Sequence, residues 1–404
     1  MTPSKLPLRF VLLPGLLGLS VAATAQTDPK TITTAVPILT ISPDARSSAL
    51  GDASVAISPD ANSGFYNAGK LGFVKNKYSF SPSYSPWLRA ITDDMGIAGL
   101  SGFAKIGQRS AISGSLMYFD LGTISFRDER NNDNGNFNPK EYAVAVSYGQ
   151  KLSDNFGVGV TTRYIHSNLT GNSLVSDAKP GNAIAVDLGA YYTKDLSIGP
   201  HDYNLALGGA ISNIGTKMTY TDPTQADFLP TNLKLGTAIT RELDAYNKIT
   251  FTVDANKLLV PSRYYFIGDS TGRGREVADM IKSKNDEIRA KSIVSGMFGS
   301  FSDAPGGFKE ELQEINLSAG MEYWYNDLLA ARVGYFYENK NKGDRQYLSF
   351  GLGVRYQVFG VDGSYLVPNS RQNPLAQTIR VSLHFNFNKL EEAFGPSNDS
   401  APAN

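Results

Sequence analysis

Three histidines, a few acidic pairs and one asparagine-rich loop are the places where this sequence could carry chemistry. His166, His201 and His384 are the only histidines in 404 residues. They lie too far apart to match the ligand spacing of a zinc site. Cysteine is absent, which removes disulfides, thiolate metal centres and cysteine nucleophiles. The acidic pairs Asp93-Asp94, Glu310-Glu311 and Glu391-Glu392 are adjacent in sequence and read as solvated loop or helix charge rather than as an acid and base across a substrate. The stretch "RNNDNGNFNPKE", Arg130 to Glu141, matches a calcium loop at Asn132, Asn134, Gly135 and Glu141. Its first ligand position is Arg130, where an aspartate is needed and a cation repels the ion. Neither a G-x-S-x-G elbow nor a phosphate-cradling glycine loop occurs. The expectation is a protein with no catalytic residues, no metal and no cofactor, hence not an enzyme.

The elements that carry these residues point elsewhere. Lys5 and Arg9 precede an apolar run from Phe10 to Ala22, followed by Ala23-Thr24-Ala25 before Gln26. That order is a secretory signal peptide over residues 1–25, cleaved near Ala25/Gln26. No later window is apolar for the ~18 residues that a membrane-spanning helix needs. The 38 basic and 38 acidic side chains balance, so nucleic acid is not an expected partner.

Period two dominates the rest. In "KEYAVAVSYGQKLSDNFGVGVTTRYIHSNL", Tyr142, Val144, Val146 and Tyr148 alternate with small residues, and Phe156, Val158, Val160 and Tyr164 do so again after a short polar turn. This is an antiparallel hairpin with one apolar face. The pattern predicts fourteen strands between residues 77 and 388. The last holds Ile379, Val381, Leu383, Phe385 and Phe387 on one face, with His384 packed on the small-residue face. Short and long connections take turns along the chain, as tight turns at one end of a cylinder and larger loops at the other require. Lipid offers no hydrogen bonds, so a sheet crossing it must close on itself. The fold expected is all-β, a transmembrane antiparallel barrel with both ends of the chain on the periplasmic side. Outer-membrane lipid is then the neighbour of Val144, Val146, Val158 and Val160. A secreted soluble sandwich or propeller is the competing architecture.

Three segments fall outside the wall. Residues 26–76, rich in Ala, Ser, Asp and Pro, suit either a plug in the barrel mouth or a periplasmic extension. Residues 258–314 form the longest insertion, an extracellular one on this topology. Val277, Met280, Ile281, Ile288 and either Ile293 or Val294 sit near helical spacing there, which reads as one amphipathic helix, with a second short helix at Phe308–Leu312. Residues 389–404 are a polar tail.

The blocks "PDARSSALGDASVAISPDANSGFYN" and "GMFGSFSDAPGGFKEELQEI" resemble the PorV family, outer-membrane proteins of the Bacteroidetes type IX secretion system, and the strand plan resembles the wider FadL-like group of fourteen-stranded barrels. One departure is Asn67-Ala68-Gly69, where many relatives carry Asn-Pro-Ala. The resemblance implies an outer-membrane protein that binds the giant translocon barrel, receives secreted cargo by its C-terminal domain and passes it to a surface attachment complex. The residues expected to make those contacts are Arg127, Asp128 and Arg130 in one outer loop, with Asp303, Phe308, Lys309 and Glu310 in the longest. A FadL-type channel for hydrophobic small molecules is the alternative, and a membrane-embedded lipid hydrolase a further one for which no serine or histidine constellation is present.

Overall fold

Alternation of small and large side chains becomes a closed cylinder in the computed structural model, which describes residues 30–89, 92–127, 130–169, 178–264, 274–369 and 378–388. The expected signal peptide, Asp128 and the 389–404 tail lie outside the described residues. The strands are β1 (Tyr78–Pro86), β2 (Gly96–Ile106), β3 (Ser110–Asp120), β4 (Ile124–Arg127), β5 (Asp133–Phe137), β6 (Lys140–Lys151), β7 (Phe156–Asn168) and β8 (Gly181–Ile198). They continue with β9 (His201–Gly215), β10 (Asn232–Glu242), β11 (Asn247–Leu258), β12 (Ile315–Tyr325), β13 (Leu329–Tyr337), β14 (Gln346–Tyr356), β15 (Phe359–Pro368) and β16 (Ile379–Phe387). β4 and β5 pair only with each other, and the other fourteen close into one barrel in which β1 pairs with β16. Every pairing is antiparallel, so the fourteen expected strands are present in the expected order.

The distribution of side chains is the reverse of a water-soluble protein. Val144, Val146, Val160, Ile184, Leu188, Phe251 and Leu352 all lie on the open outer surface. Ser81, Ser113, Thr161, Ser318, Ser349 and Ser382 are buried on the inner face. Leaving a large apolar side chain in water costs about 1.5–3 kcal/mol, and a hydrocarbon surround removes that cost for the whole outer band. Rings gather toward the strand ends: Phe80 stacks on Phe385 at 4.4 Å where β1 meets β16, and Tyr148, Phe156, Tyr325 and Tyr356 stand exposed at the same rim. That is the position of an interfacial aromatic girdle. Phe387 departs from the expected outer row. It is buried, stacked on Tyr78 at 5.6 Å.

Connections alternate as the sequence indicates. β2–β3, β6–β7, β8–β9, β10–β11, β12–β13 and β14–β15 are joined by tight turns at one rim, where β1 begins and β16 ends. The longer connections gather at the opposite rim. The region of the partial calcium match is part of one of them: Asp133–Phe137 is a strand facing Ile124–Arg127, so the stretch is a hairpin rather than an ion-binding loop.

The segment before β1 threads the cylinder from rim to rim. The backbone N–H of Lys30 donates to Asn341 O in the β13–β14 connection, and that of Ala35 to Phe228 O in the β9–β10 connection, so this end sits at the long-loop rim. Val36, Ile38 and Leu39 pack on Ile97, Phe119, Ile165 and Ala183 just inside it. Two "SPDA" turns follow. Asp44 Oδ2 accepts from Ser47 N at 2.9 Å to start α1 (Ala45–Ala49), and Asp60 Oδ1 accepts from Asn62 N at 2.9 Å before α2 (Ser63–Tyr66). Gly72 ends beside the Lys151 backbone at the short-turn rim. The expectation left residues 26–76 as either a plug or a periplasmic extension; from Lys30 on the segment lies within the cylinder, and its apolar residues 36–39 find their partners at the long-loop rim.

The inner wall is shaped to this segment. A Cβ on Gly208 would stand 2.1 Å from Val55 O, and one on Gly334 2.1 Å from Gly51 N. Arg46 binds Glu322 through Nε and Nη2, at 2.9 and 2.8 Å, and Asp60 through Nη1 at 2.9 Å. Arg332 bridges Glu322 and Asp362, at 2.7 and 3.0 Å, and Arg355 reaches Asp362 at 2.6 Å. Three guanidinium groups thus meet three carboxylates. His384 stands beside them, its Nε2 2.8 Å from Asp362 Oδ2.

Candidate functional site

The long-loop rim carries the largest folded insertion, and its base is a cage of charge. The insertion contains α3 (Gly274–Ala290), α4 (Ile293–Gly299) and α5 (Phe308–Gln313). Ser292 caps α4 by accepting from Ser295 N. Lys291 and Ser292 leave the helical path and separate α4 from α3, so the single helix read from the sequence is two. Asp303 Oδ1 accepts from Ser262 N, and Gly307 takes a φ of 69° to launch α5, a backbone angle that glycine adopts without strain.

One turn of α5 and its exit then present three glutamates to three lysines from distant parts of the chain. Glu310 accepts from Lys30 Nζ at 3.0 Å and Lys342 Nζ at 2.7 Å. Glu311 and Glu314 take Lys257 Nζ at 2.9 and 2.5 Å. Glu314 also accepts from Ser262 Oγ at 2.6 Å and Lys342 Nζ at 2.9 Å. Burial by itself would raise the carboxyls of Glu310 and Glu314, but the lysine hydrogen bonds outweigh it and hold both below the usual range. Burial likewise disfavours charge on Lys342, and the two glutamates overcome that and raise it. Asp303, with weaker support, is pushed up by burial. The "SDAPGGFKEELQE" block therefore works as a clamp between the insertion and the barrel.

Above the clamp the insertion shows apolar side chains. Phe298 is 73% exposed and Phe308 76%, with Val294, Phe301 and Leu312 also exposed. Charged groups lie close by, including exposed Lys309. Exposed aromatics of this kind, rimmed by polar residues, mark interaction surfaces.

The residues expected to make contacts divide between two places. Arg127 and Arg130 are exposed on the β4–β5 hairpin, where Arg127 Nη1 donates to Asn131 O at 3.1 Å. The ring order places that hairpin nearly opposite the β11–β12 insertion, so the two groups do not form one site. Phe308 and Lys309 face solvent, and Asp303 is half-buried. Glu310 is not available to a partner: it is buried and committed to Lys30 and Lys342. The exposed Phe298 and Phe301 are not among the residues expected to make contacts, and Val294 is expected only as an apolar position of a helix; rings on either side of a helix break carry no single periodic signal.

Open space in the lumen has a mixed lining. A cavity of about 90 Å³ lies between polar Asn213, Asn232, Lys234, Asn256 and Arg163 and apolar Leu39, Phe65 and Phe336. A second of about 290 Å³ lies between Thr31, Thr34, Glu314, Lys342 and Arg345. Of the histidines, His166 stacks on Tyr142 and lies 2.8 Å from Asn182 Oδ1, and His201 is exposed at the β8–β9 turn. Among the described residues no group of three His, Asp or Glu side chains is placed to hold a metal ion.

Compared with known proteins, residues 24–264 match the family described as type IX secretion system protein PorV. None of the curated proteins compared with the chain matches it. Among solved structures, the Pseudomonas putida toluene transporter TodX is similar, with 12% identity and a TM-score of 0.47 over 85% of this chain and 97% of that one. A Pseudomonas aeruginosa FadL homologue is similar too, with 9% identity and a TM-score of 0.43 over 89% of this chain and 100% of that one.

Proposed function

The chain belongs to the PorV family of the type IX secretion system, an outer-membrane β-barrel, and from that premise we propose that it is a non-enzymatic docking subunit of the secretion machinery. On this reading residues 1–25 direct export, the short turns face the periplasm and the long loops face outward, as in other outer-membrane barrels. The threaded segment serves as a plug, so cargo does not pass through this cylinder. The outer loops bind the giant translocon barrel and the C-terminal domain of secreted cargo, and hand the cargo to the surface attachment complex.

The observation that carries the proposal is the exposure of Phe298 and Phe308 on an insertion whose last helix the glutamate–lysine cage ties to the wall. A fixed scaffold presenting solvent-facing aromatics loses little entropy on binding, which is what a docking surface needs. Arg127 and Arg130 on the far side of the rim are proposed as a second contact. The alternative, a channel for hydrophobic small molecules, calls for an open route through the cylinder, whereas the threaded segment occupies the lumen with buried Leu50, Val55, Ile57 and Leu71.

Replacing residues 272–308 by a short Gly/Ser linker tests the proposal. The expected result is a barrel still inserted in the outer membrane and loss of cargo export. Normal export by that variant refutes it.

A further inference from the structure

The threaded segment is anchored at the long-loop rim from Lys30 onward. Lys30 is tied at both ends of its own residue to the long-loop rim: its N–H donates to Asn341 O at 2.7 Å and its Nζ pairs with Glu310 at 3.0 Å. Further along the segment, Ala35 N donates to Phe228 O of a third long connection at 2.9 Å. From there the chain descends past α1, whose first N–H donates to Ser382 Oγ at 2.9 Å, and reaches the opposite rim at Gly72. The descent fills the lumen with buried side chains, among them Leu50, Val55, Ile57 and Leu71.

We infer that residues 30–40 form a strap that latches the threaded segment to the largest insertion and holds α5 against the wall. The argument is one of contact and occupancy. Lys30 and Ala35 are bound to three long connections, and from there the segment fills the lumen down to Gly72. The strap is also the roof of the larger cavity, to which Thr31, Ile32, Thr34, Pro37 and Thr40 contribute. Lys30 supplies one of the two lysines that neutralise Glu310, so the strap holds α5 in place as well as covering the space beside it.

Which side of the membrane the loops face rests on the proposed function, but the strap's relation to the loops does not. The protein lacks cysteine, so single thiols can report on each side. Thr33→Cys, Phe308→Cys and Asp154→Cys are each treated on intact cells with a membrane-impermeant maleimide, and again after permeabilisation. Thr33 is exposed on the strap, Phe308 is 76% exposed on the insertion, and the Asp154 side chain is 85% exposed on the β6–β7 turn. The inference requires Thr33→Cys to label together with Phe308→Cys, and it is overturned if Thr33→Cys labels together with Asp154→Cys. The reactivity of Phe308→Cys against Asp154→Cys separately decides the orientation of the barrel. A zero-length carbodiimide on the purified unaltered protein gives a second readout. Recovery of a Lys30–Glu310 cross-link beside Lys342–Glu310 supports the latch, and Lys342–Glu310 alone contradicts it. Lys30→Glu should raise the rate of proteolytic cutting between Gly299 and Phe308 several-fold while leaving the barrel folded.

Discussion

Arg46 and Glu322 meet inside the barrel through two hydrogen bonds, at 2.9 and 2.8 Å, that tie the threaded segment to β12. Both side chains are nearly free of solvent, and Glu322 is shared with Arg332 at 2.7 Å. Arg46→Ala removes one member of a balanced set and leaves Glu322 with a single cation. Truncating one partner of a buried pair costs about 3–5 kcal/mol. The variant should unfold at a lower temperature in detergent, read by loss of the fast-migrating folded band on unboiled gels. Arg46→Lys should fall between, since an ammonium cannot reproduce the two-pronged contact.

Gly334 is one of the points where the wall and the segment come closest. A Cβ there would lie 2.1 Å from Gly51 N and 2.2 Å from Leu50 C, whereas one on Gly114 meets nothing within 4 Å. Gly334→Val should push the segment off the wall, with an overpacking cost of about 1–3 kcal/mol. Liposomes holding it should become leakier to small sugars. Gly114→Val, on the outer face, should leave permeability at the level of the unaltered protein.

The cage at the base of the insertion makes that insertion sensitive to acid. Glu310 and Glu314 are held below their ordinary value of 4.5. Groups depressed in the folded state stabilise above the unfolded value, and that contribution fades as pH falls through the folded one. Lys342 is raised above 10.5, so its share is complete below that value and is lost on going higher. Hydrogen exchange in α5 should therefore be slow and flat between about pH 5 and 10, after correction for intrinsic rates. It should accelerate below about pH 4 before the barrel itself opens.

Phe298 and Phe308 are the exposed rings proposed to meet a partner. Phe298→Asp with Phe308→Asp should weaken co-purification of secretion components by at least ~30-fold, the scale of a central aromatic contact worth about 2 kcal/mol or more. The barrel's thermal stability should not change, since neither side chain is packed on the wall. Arg127→Glu with Arg130→Glu, on the opposite side of the rim, should add an independent and smaller loss.

The barrel was legible because its signal is local. Alternation at Tyr142–Tyr148 or Ile379–Leu383 fixes which side chains face out, and the order of short and long connections fixes closure. Ends of strands were less so: β8 runs on to Ile198, leaving only Gly199 and Pro200 before β9, where charged Asp195 and Asp202 suggested a longer turn. The β4–β5 hairpin was hidden by polar Asn and Asp residues of low strand propensity. Glu310 shows what no local pattern carries. Its partners stand 280 and 32 residues away, so its burial depends on the completed ring. The direction of the threaded segment has the same origin, because Val36, Ile38 and Leu39 are apolar anywhere but find their pocket only once β2, β3, β6, β7 and β8 are side by side.

Affinity purification of this protein from gently solubilised outer membranes, with mass spectrometry of what accompanies it, bears most directly on the proposed docking role. The account predicts recovery of a very large barrel protein together with exported polypeptides that carry a shared C-terminal domain. Recovery of the barrel alone under conditions that keep other outer-membrane complexes intact would contradict it.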